Sequence, residues 1–301
     1  MNWSFPNNVI IQGISESQAA FYAVQMKAYG TEIIAGVSPG KGGTQIEDIP
    51  VFDLVEQILT ITDKIDTSLI FVPPYQVLDA TIEAIASGIR RIIIFTSNIP
   101  AQEAIKIIKY AEANNTLLLG PGSQGIIIPE QLWMGSLQPQ FYQSGNVGLI
   151  TTSEHLSYEV AAELNSAGSG QSMVVSLGSE RIIGSDLTQW LSILDEDPNT
   201  ETIVFVGHRI DLSEEIVTYC QGSDRHKPII VYIAGLEAPQ ETVFRDAITI
   251  ISNHLSASIP AENQGKHNIA KLETAGIKVA KRPGEIPTIL SEIFHSRVKT
   301  T

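Results

Sequence analysis

Apolar positions along this chain alternate between two rhythms. Short continuous apolar runs at Val9–Gln12, Glu32–Val37, Ser68–Val72, Arg91–Phe95 and Thr116–Leu119 read as strands. Between them, Ser17–Tyr29, Asp53–Thr62, Val77–Ser87 and Ala101–Asn114 carry their apolar residues at helical spacing. Strands that are apolar throughout must be covered on both faces, and the amphipathic helices supply the cover. The pattern predicts a parallel sheet with helices on each side, and right-handed crossovers make residues 1–128 a Rossmann-like α/β domain.

The rhythm stops over residues 129–145, where Gln, Pro, Ser and Gly mix with scattered aromatics, and this stretch is expected to be an interdomain connection. It resumes from 146 to 301. Strands are predicted at Val147–Thr151, Met173–Leu177, Thr202–Val206, Ile229–Ile233 and Ile277–Ala280. Helices fit Glu154–Ala167, Ser185–Leu194, Ser213–Gln221, Lys266–Ala275 and Glu285–His295. A second doubly wound α/β domain, flavodoxin-like in size, follows from that order.

Composition adds limits. A length of 301 residues suits two domains, and 43 % hydrophobic against 17 % charged residues is the balance of an ordered chain. Acidic residues outnumber basic ones 33 to 19, which argues against nucleic acid as a partner while leaving room for a local phosphate-binding pocket. Cys220 stands alone, so an intrachain disulfide and a cysteine zinc cluster are excluded. The first residues lack a basic, then apolar, leader, and no apolar run approaches the ~20 residues of a membrane span. The expected setting is cytoplasmic, without a membrane partner.

In sheets of this kind ligands sit beyond the carboxyl ends of the strands. The loop after the first strand, Gly13 to Gln18, is not G-x-G-x-x-G; its Ser15-x-x-Gln18 pattern reads as a helix capping box. Ser38 to Gly43 is glycine-rich around Lys41, a composition that frees backbone N–H groups to face an anion, although it is too short for a P-loop. The remaining loops run Val72 to Tyr75, Phe95 to Asn98 and Gly120 to Gly125.

Taken in order, these loops resemble the CoA-binding domain of the succinyl-CoA synthetase α-subunit family. Ser15, Glu16, Ser17 and Gln18 match a Thr-Gly-Ser-Gln loop, Lys41 matches the lysine of a Thr-Pro-Gly-Lys-Gly-Gly loop, and Phe95, Thr96 and Ser97 match a contact that is usually Ile-Thr-Glu. The resemblance extends over residues 8–295. It implies CoA as the cofactor, no metal bound by this chain, and an ATP-grasp β subunit or β-like protein as partner, with a homo-oligomer as a further option.

The family's second domain carries a phosphohistidine, and here the chain departs from it. Its Ser-Gly-Thr-Leu-Thr-Tyr-Glu phosphate loop corresponds to Ser153, Glu154, His155, Leu156, Ser157, Tyr158 and Glu159, with Glu154 in place of the glycine. An inward carboxylate ~4 Å from a phosphate costs about 4 kcal/mol at an effective dielectric of 20. That exceeds the ~0.3–1 kcal/mol it gains from the helix dipole. Asp246 stands at the phosphohistidine position and His208 at that of its glutamate partner, an apparent exchange of acid and base. Three readings stay open. The pair is structural in an inactive site, or His208 or Asp246 accepts the phosphoryl group itself, or an insertion after Gly235 makes His254 the equivalent histidine. The functions that follow are a CoA-binding regulatory or assembly subunit with impaired catalysis, an active ligase α subunit, or an assembly protein that retains neither ligand.

Overall fold

The structure is a computed structural model, described here for residues 8–153, 155–208, 212–222, 227–234 and 264–298. Among these residues the first sheet contains β1 (Val9–Gln12), β2 (Ile33–Val37), β3 (Gln45–Ile46), β4 (Ile49–Phe52), β5 (Thr67–Ile70), β6 (Arg91–Ile94) and β7 (Leu117–Leu119). Their order is β3-β4-β2-β1-β5-β6-β7, parallel except for the β3–β4 pair. Every residue of β1 and β5 is buried, as strands covered on both faces require. The one amide on β1, Gln12, is satisfied: Nε2 donates to Ala80 O (3.0 Å) and Glu83 Oε2 (3.2 Å), and Oε1 accepts from Ser68 (2.7 Å). Burial of that side chain therefore leaves no orphaned group.

The helix expected over Asp53–Thr62 shortens to Val55–Ile58. Past Ile58 the backbone switches to tighter bonds three residues apart, from Leu59, Thr60 and Ile61 to Glu56, Gln57 and Ile58. The β-branched run Thr60-Ile61-Thr62 disfavours continuing the helix. The β3–β4 pair, absent from the sequence reading, lies just before it. Ser17–Tyr29 is a helix as expected, ended by Gly30 at φ 113°.

The second sheet combines β10 (Ser144–Thr151), β11 (Gln171–Ser176), β12 (Thr202–Gly207), β13 (Ile229–Ile233) and β14 (Lys278–Ala280), all parallel. Their spatial order is β11-β10-β12-β13-β14, the flavodoxin-like winding. The molecule is α/β throughout, a Rossmann-like domain followed by a flavodoxin-like one.

The stretch 129–145, read as a plain connection, contains a strand, and residues 125–128, assigned to the first domain, form its partner. β8 (Gly125–Ile128) and β9 (Leu132–Gly135) form an antiparallel hairpin that joins the second sheet beside β11. Periodicity missed it because both strands are short, fully buried and separated by Pro129-Glu130-Gln131, so no alternation develops. Helix Ser17–Tyr29 of the first domain packs on β9: Gly135 N–H donates to Met26 Sδ (3.1 Å), Glu130 N–H to the Tyr29 hydroxyl (2.7 Å), and Thr31 Oγ1 to Trp133 O. Tyr22 and Tyr29 meet Trp133 edge-on, with centroids 6.3 and 5.9 Å from it. The outer strand of the second sheet is thereby covered by the first domain.

Candidate functional site

After β1 the chain crosses to β2 on one side, and after β5 it crosses to β6 on the other. The switch point therefore lies between β1 and β5, where a crevice is expected. A cleft of about 870 Å³ opens there. Its first-domain wall is built from the loops after β1 (Glu16, Gln18), β5 (Phe71 to Pro74) and β6 (Phe95 to Asn98). Gly122 to Gln124, Ser136, Gln138, Phe141, His155 and Tyr158 complete the lining. The volume falls within the ~300–1,000 Å³ of small-molecule sites.

Each wall has a local cause. Ser15 does not cap the helix: Glu16 N–H closes a turn onto Gly13 O (2.9 Å), which moves the N-cap to Glu16, and no side chain caps it. The expected capping box is thus replaced by a Ser15–Ser38 hydroxyl contact of 2.8 Å that ties the first loop to the glycine-rich one. Ser17 is exposed and opens the helix, leaving first-turn N–H groups directed at the crevice end of the sheet. Lys41 is exposed on the neighbouring loop and does not line the cleft. Within that loop Gly42 N–H is already given to Asp53 Oδ1 (2.9 Å), so not every loop amide is available to an anion.

Thr96 and Ser97 are fixed from both domains. Thr96 Oγ1 donates to Val72 O (2.6 Å), Gly122 N–H donates to Thr96 O (3.1 Å), and Asn98, at φ 60°, gives its N–H to Glu180 Oε1 at 2.7 Å. Phe95 stacks on Phe71. Tyr158, also in the lining, packs against Phe141 and Tyr142, at 4.8 and 5.9 Å between centroids. Tyr142 is buried and its hydroxyl donates to Ser157 Oγ (3.1 Å). Burial pushes its phenol well above the ordinary tyrosine range.

A second convergence lies at the carboxyl ends of β10, β12 and β13. Thr152 N–H donates to Val206 O (3.0 Å) and Ala234 N–H to Gly207 O (2.8 Å). Gly207 approaches so closely that a Cβ there would overlap Thr152 Oγ1. Ser153 is buried and its Oγ accepts from Leu156 N–H at 3.4 Å, at the start of helix Leu156–Ser166. His155 is exposed and reaches the cleft, and His208 is exposed directly after β12. Glu154, Asp246 and His254 lie outside the described residues, as do Arg209 and Arg245. The proposed His208–Asp246 pair therefore has one member placed.

Of the sequence-derived CoA residues, Glu16, Gln18, Phe95, Thr96 and Ser97 share the cleft, and His155 and Tyr158 from the phosphate-loop set face it too. The sequence reading missed Tyr22, Phe71, Gln124, Ser136 and Gln138. Gln124 sat in a loop already singled out, whereas Ser136 and Gln138 were hidden in the supposed connection. Among the described residues no group of three or more metal-ligating side chains occurs, and no helix is long and apolar enough to cross a membrane.

Comparison with known proteins agrees with the two-domain architecture. Residues 5–98 match the CoA binding domain family and residues 144–248 the succinyl-CoA ligase like flavodoxin domain family. The succinate–CoA ligase [ADP-forming] subunit alpha 2 of Archaeoglobus fulgidus is 35 % identical over 286 residues, covering 95 % of this chain and 96 % of that protein. An ADP-forming sulfoacetate-CoA ligase subunit of an Acholeplasma species is 33 % identical, covering 95 % of each chain. Among solved structures, ATP citrate lyase of Methanothrix soehngenii, in complex with citrate and coenzyme A, superposes with a TM-score of 0.77 at 16 % identity. That alignment covers 98 % of this chain and 51 % of the lyase chain, so the chain spans about half of that larger protein. This chain belongs to the succinate–CoA ligase α-subunit family.

Proposed function

We propose that this protein binds CoA in the interdomain cleft and serves as the α-type subunit of an assembly with an ATP-grasp β-like partner, with its phosphoryl-carrying step impaired. The observation that carries the CoA reading is the gathering of Glu16, Gln18, Phe95, Thr96 and Ser97 at one switch-point cleft. The free N–H groups opening Ser17–Tyr29, with Lys41 on the loop tied to it through Ser15 and Ser38, are the groups suited to the phosphates. Glu16 opposes them, so the pyrophosphate would run past the helix end on the side away from that carboxylate. The aromatic and amide-rich remainder of the cleft suits the uncharged arm. CoA, when bound, would supply the thiol that accepts an acyl group.

Impairment rests on Asp246 at the phosphohistidine position and Glu154 in the phosphate loop. An aspartate lacks the imidazole nucleophile, and a carboxylate among the loop amides competes with phosphate for them. A second reading, an active ligase subunit converting ATP, a carboxylate and CoA to acyl-CoA, ADP and phosphate, draws on the exposed His208 beside the Thr152–Gly207 approach. A histidine there must still meet the donor in line.

Two measurements separate these readings. Calorimetry should detect CoA binding that weakens in Lys41→Ala; binding unchanged by that substitution counts against the phosphate assignment. Incubation with a β subunit and γ-labelled ATP should leave the chain unlabelled. Label on His208, Asp246 or His254 that is discharged by CoA plus a carboxylic acid would establish the active enzyme instead.

A further inference from the structure

The backbone around Gln124 is pinned on every side. Its N–H donates to Ser176 Oγ (3.1 Å), while its carbonyl accepts from Ser136 N–H (2.9 Å) and Leu137 N–H (3.2 Å). The adjoining Ser123 hydroxyl donates to Ser176 O (2.6 Å) and accepts from Gly125 N–H (2.9 Å). Gly135, at φ 143°, comes so near that a Cβ would overlap Gln124 O, and its next neighbour in that direction is the Phe95 ring. Hydrogen bonds to β11 and to the chain just past β9 thus fix where this residue stands.

The side chain is treated differently. Gln124 faces the cleft, and its Oε1 is buried without a hydrogen-bond partner among the described residues. A buried amide oxygen left unpaired costs about 1–3 kcal/mol, and native structures rarely leave one without a reason. Other buried hydroxyls share this state, such as Thr67 and Thr202, but they lie on strands and are not part of this cleft. Gln124 combines a fixed backbone, an uncommitted amide and a place in the cleft lining.

We infer that the Gln124 side-chain amide is a ligand-binding group that pairs with a secondary amide of the bound molecule, the pantetheine-type arm of a CoA-like ligand. This assignment rests on the CoA reading above. The polarity of the cleft supports it. A phosphorylated end belongs with the helix N-terminus and Lys41, so the part of the ligand reaching Gln124 past the Phe71–Phe95 stack is uncharged. A carboxamide suits an uncharged amide because it offers both an acceptor and two donors. A fixed backbone also reduces the ordering cost of binding.

The test is calorimetric titration of the wild type, Gln124→Leu and the length-matched Gln124→Met with CoA and, separately, with the adenosine bisphosphate fragment of CoA that lacks the arm. Both variants should fold with an unchanged melting temperature and bind CoA about tenfold more weakly, the scale of one lost buried pairing. The fragment should bind all three proteins equally. Equal CoA affinity in the wild type and the folded variants overturns the assignment and leaves the CoA reading intact. An equal loss for the fragment overturns it too, by placing Gln124 at the nucleotide, and failure of both variants to fold would show the side chain to be structural. A wild type that takes up neither compound overturns the CoA reading and this assignment with it.

Discussion

Phe71 and Phe95 lie face to face at the carboxyl ends of adjacent strands, with ring centroids 4.2 Å apart and planes 8° from parallel. Tyr22 also stacks on Phe71, with centroids 6.5 Å apart. The Phe95 ring thus covers the floor of the cleft, and Phe71 beneath it is 8 % exposed. The stack joins the sheet core to the binding surface, so one substitution should register in both.

Phe71→Ala should cost about 3–5 kcal/mol, as for other buried phenylalanines. Phe95→Ala should cost less, since that ring is half-buried. A double-mutant cycle in denaturant should give a coupling of about 0.5–1.5 kcal/mol. Additivity of the two costs would show that the rings act independently.

Glu180 reaches from the loop after β11 to the N–H of Asn98 in the first domain. Glu180→Ala should lower stability by about 1 kcal/mol and weaken cleft binding a few-fold, because the loop carrying Thr96 and Ser97 loses its outer anchor. Glu180→Gln keeps an acceptor and should lie near the wild type. Thermal melts and ligand titrations of both variants check this; parallel losses in the two would assign the effect to charge rather than to the bond.

Tyr142 predicts an alkaline response with a definite sign. Burial raises its phenol above the ordinary value of about 10, so the folded state holds this proton more tightly than the unfolded chain does. The stability it contributes is fully present below pH ~10 and is lost as pH climbs beyond that value. Tyr142→Phe gives up the bond to Ser157, about 1 kcal/mol at neutral pH, and cannot ionise. Its denaturation midpoint should approach that of the wild type above pH ~10; a constant gap would contradict the assignment.

Gly125 adopts φ 91°, and a Cβ there would overlap the carbonyl oxygen of Met134. Gly125→Ala should therefore be severely destabilising, by more than about 3 kcal/mol, through combined backbone strain and a clash across the β8–β9 pair. Soluble yield and melting temperature are the readouts, with a melt within a few degrees of the wild type as the contrary result.

Legibility in the sequence followed chain-local physics. β1, β5 and β6 were visible because each carries an apolar run, Val9–Ile11, Leu69–Val72 and Ile92–Ile94, as strands buried on both faces do. The β8–β9 hairpin was not, because β8 pairs with β11, about fifty residues onward, and the helix covering it lies about a hundred residues back. The crevice could be placed from the order of the post-strand loops. The loss of the Ser15 capping box could not, since it depends on a turn closing at Gly13. The sequence names Gln124 but does not say whether its amide is already spent, which only the three-dimensional neighbours decide.

The hairpin has a consequence for how the molecule comes apart. A cut at residue 128 would separate β8 from β9 and take β8 out from between β9 and β11, while uncovering Trp133 on one piece and Tyr22 and Tyr29 on the other. Neither fragment would be a self-contained folding unit. The two halves are sequential along the chain but interlocked in space, so heat should melt them together in a single cooperative transition, and limited proteolysis should not release an intact amino-terminal half.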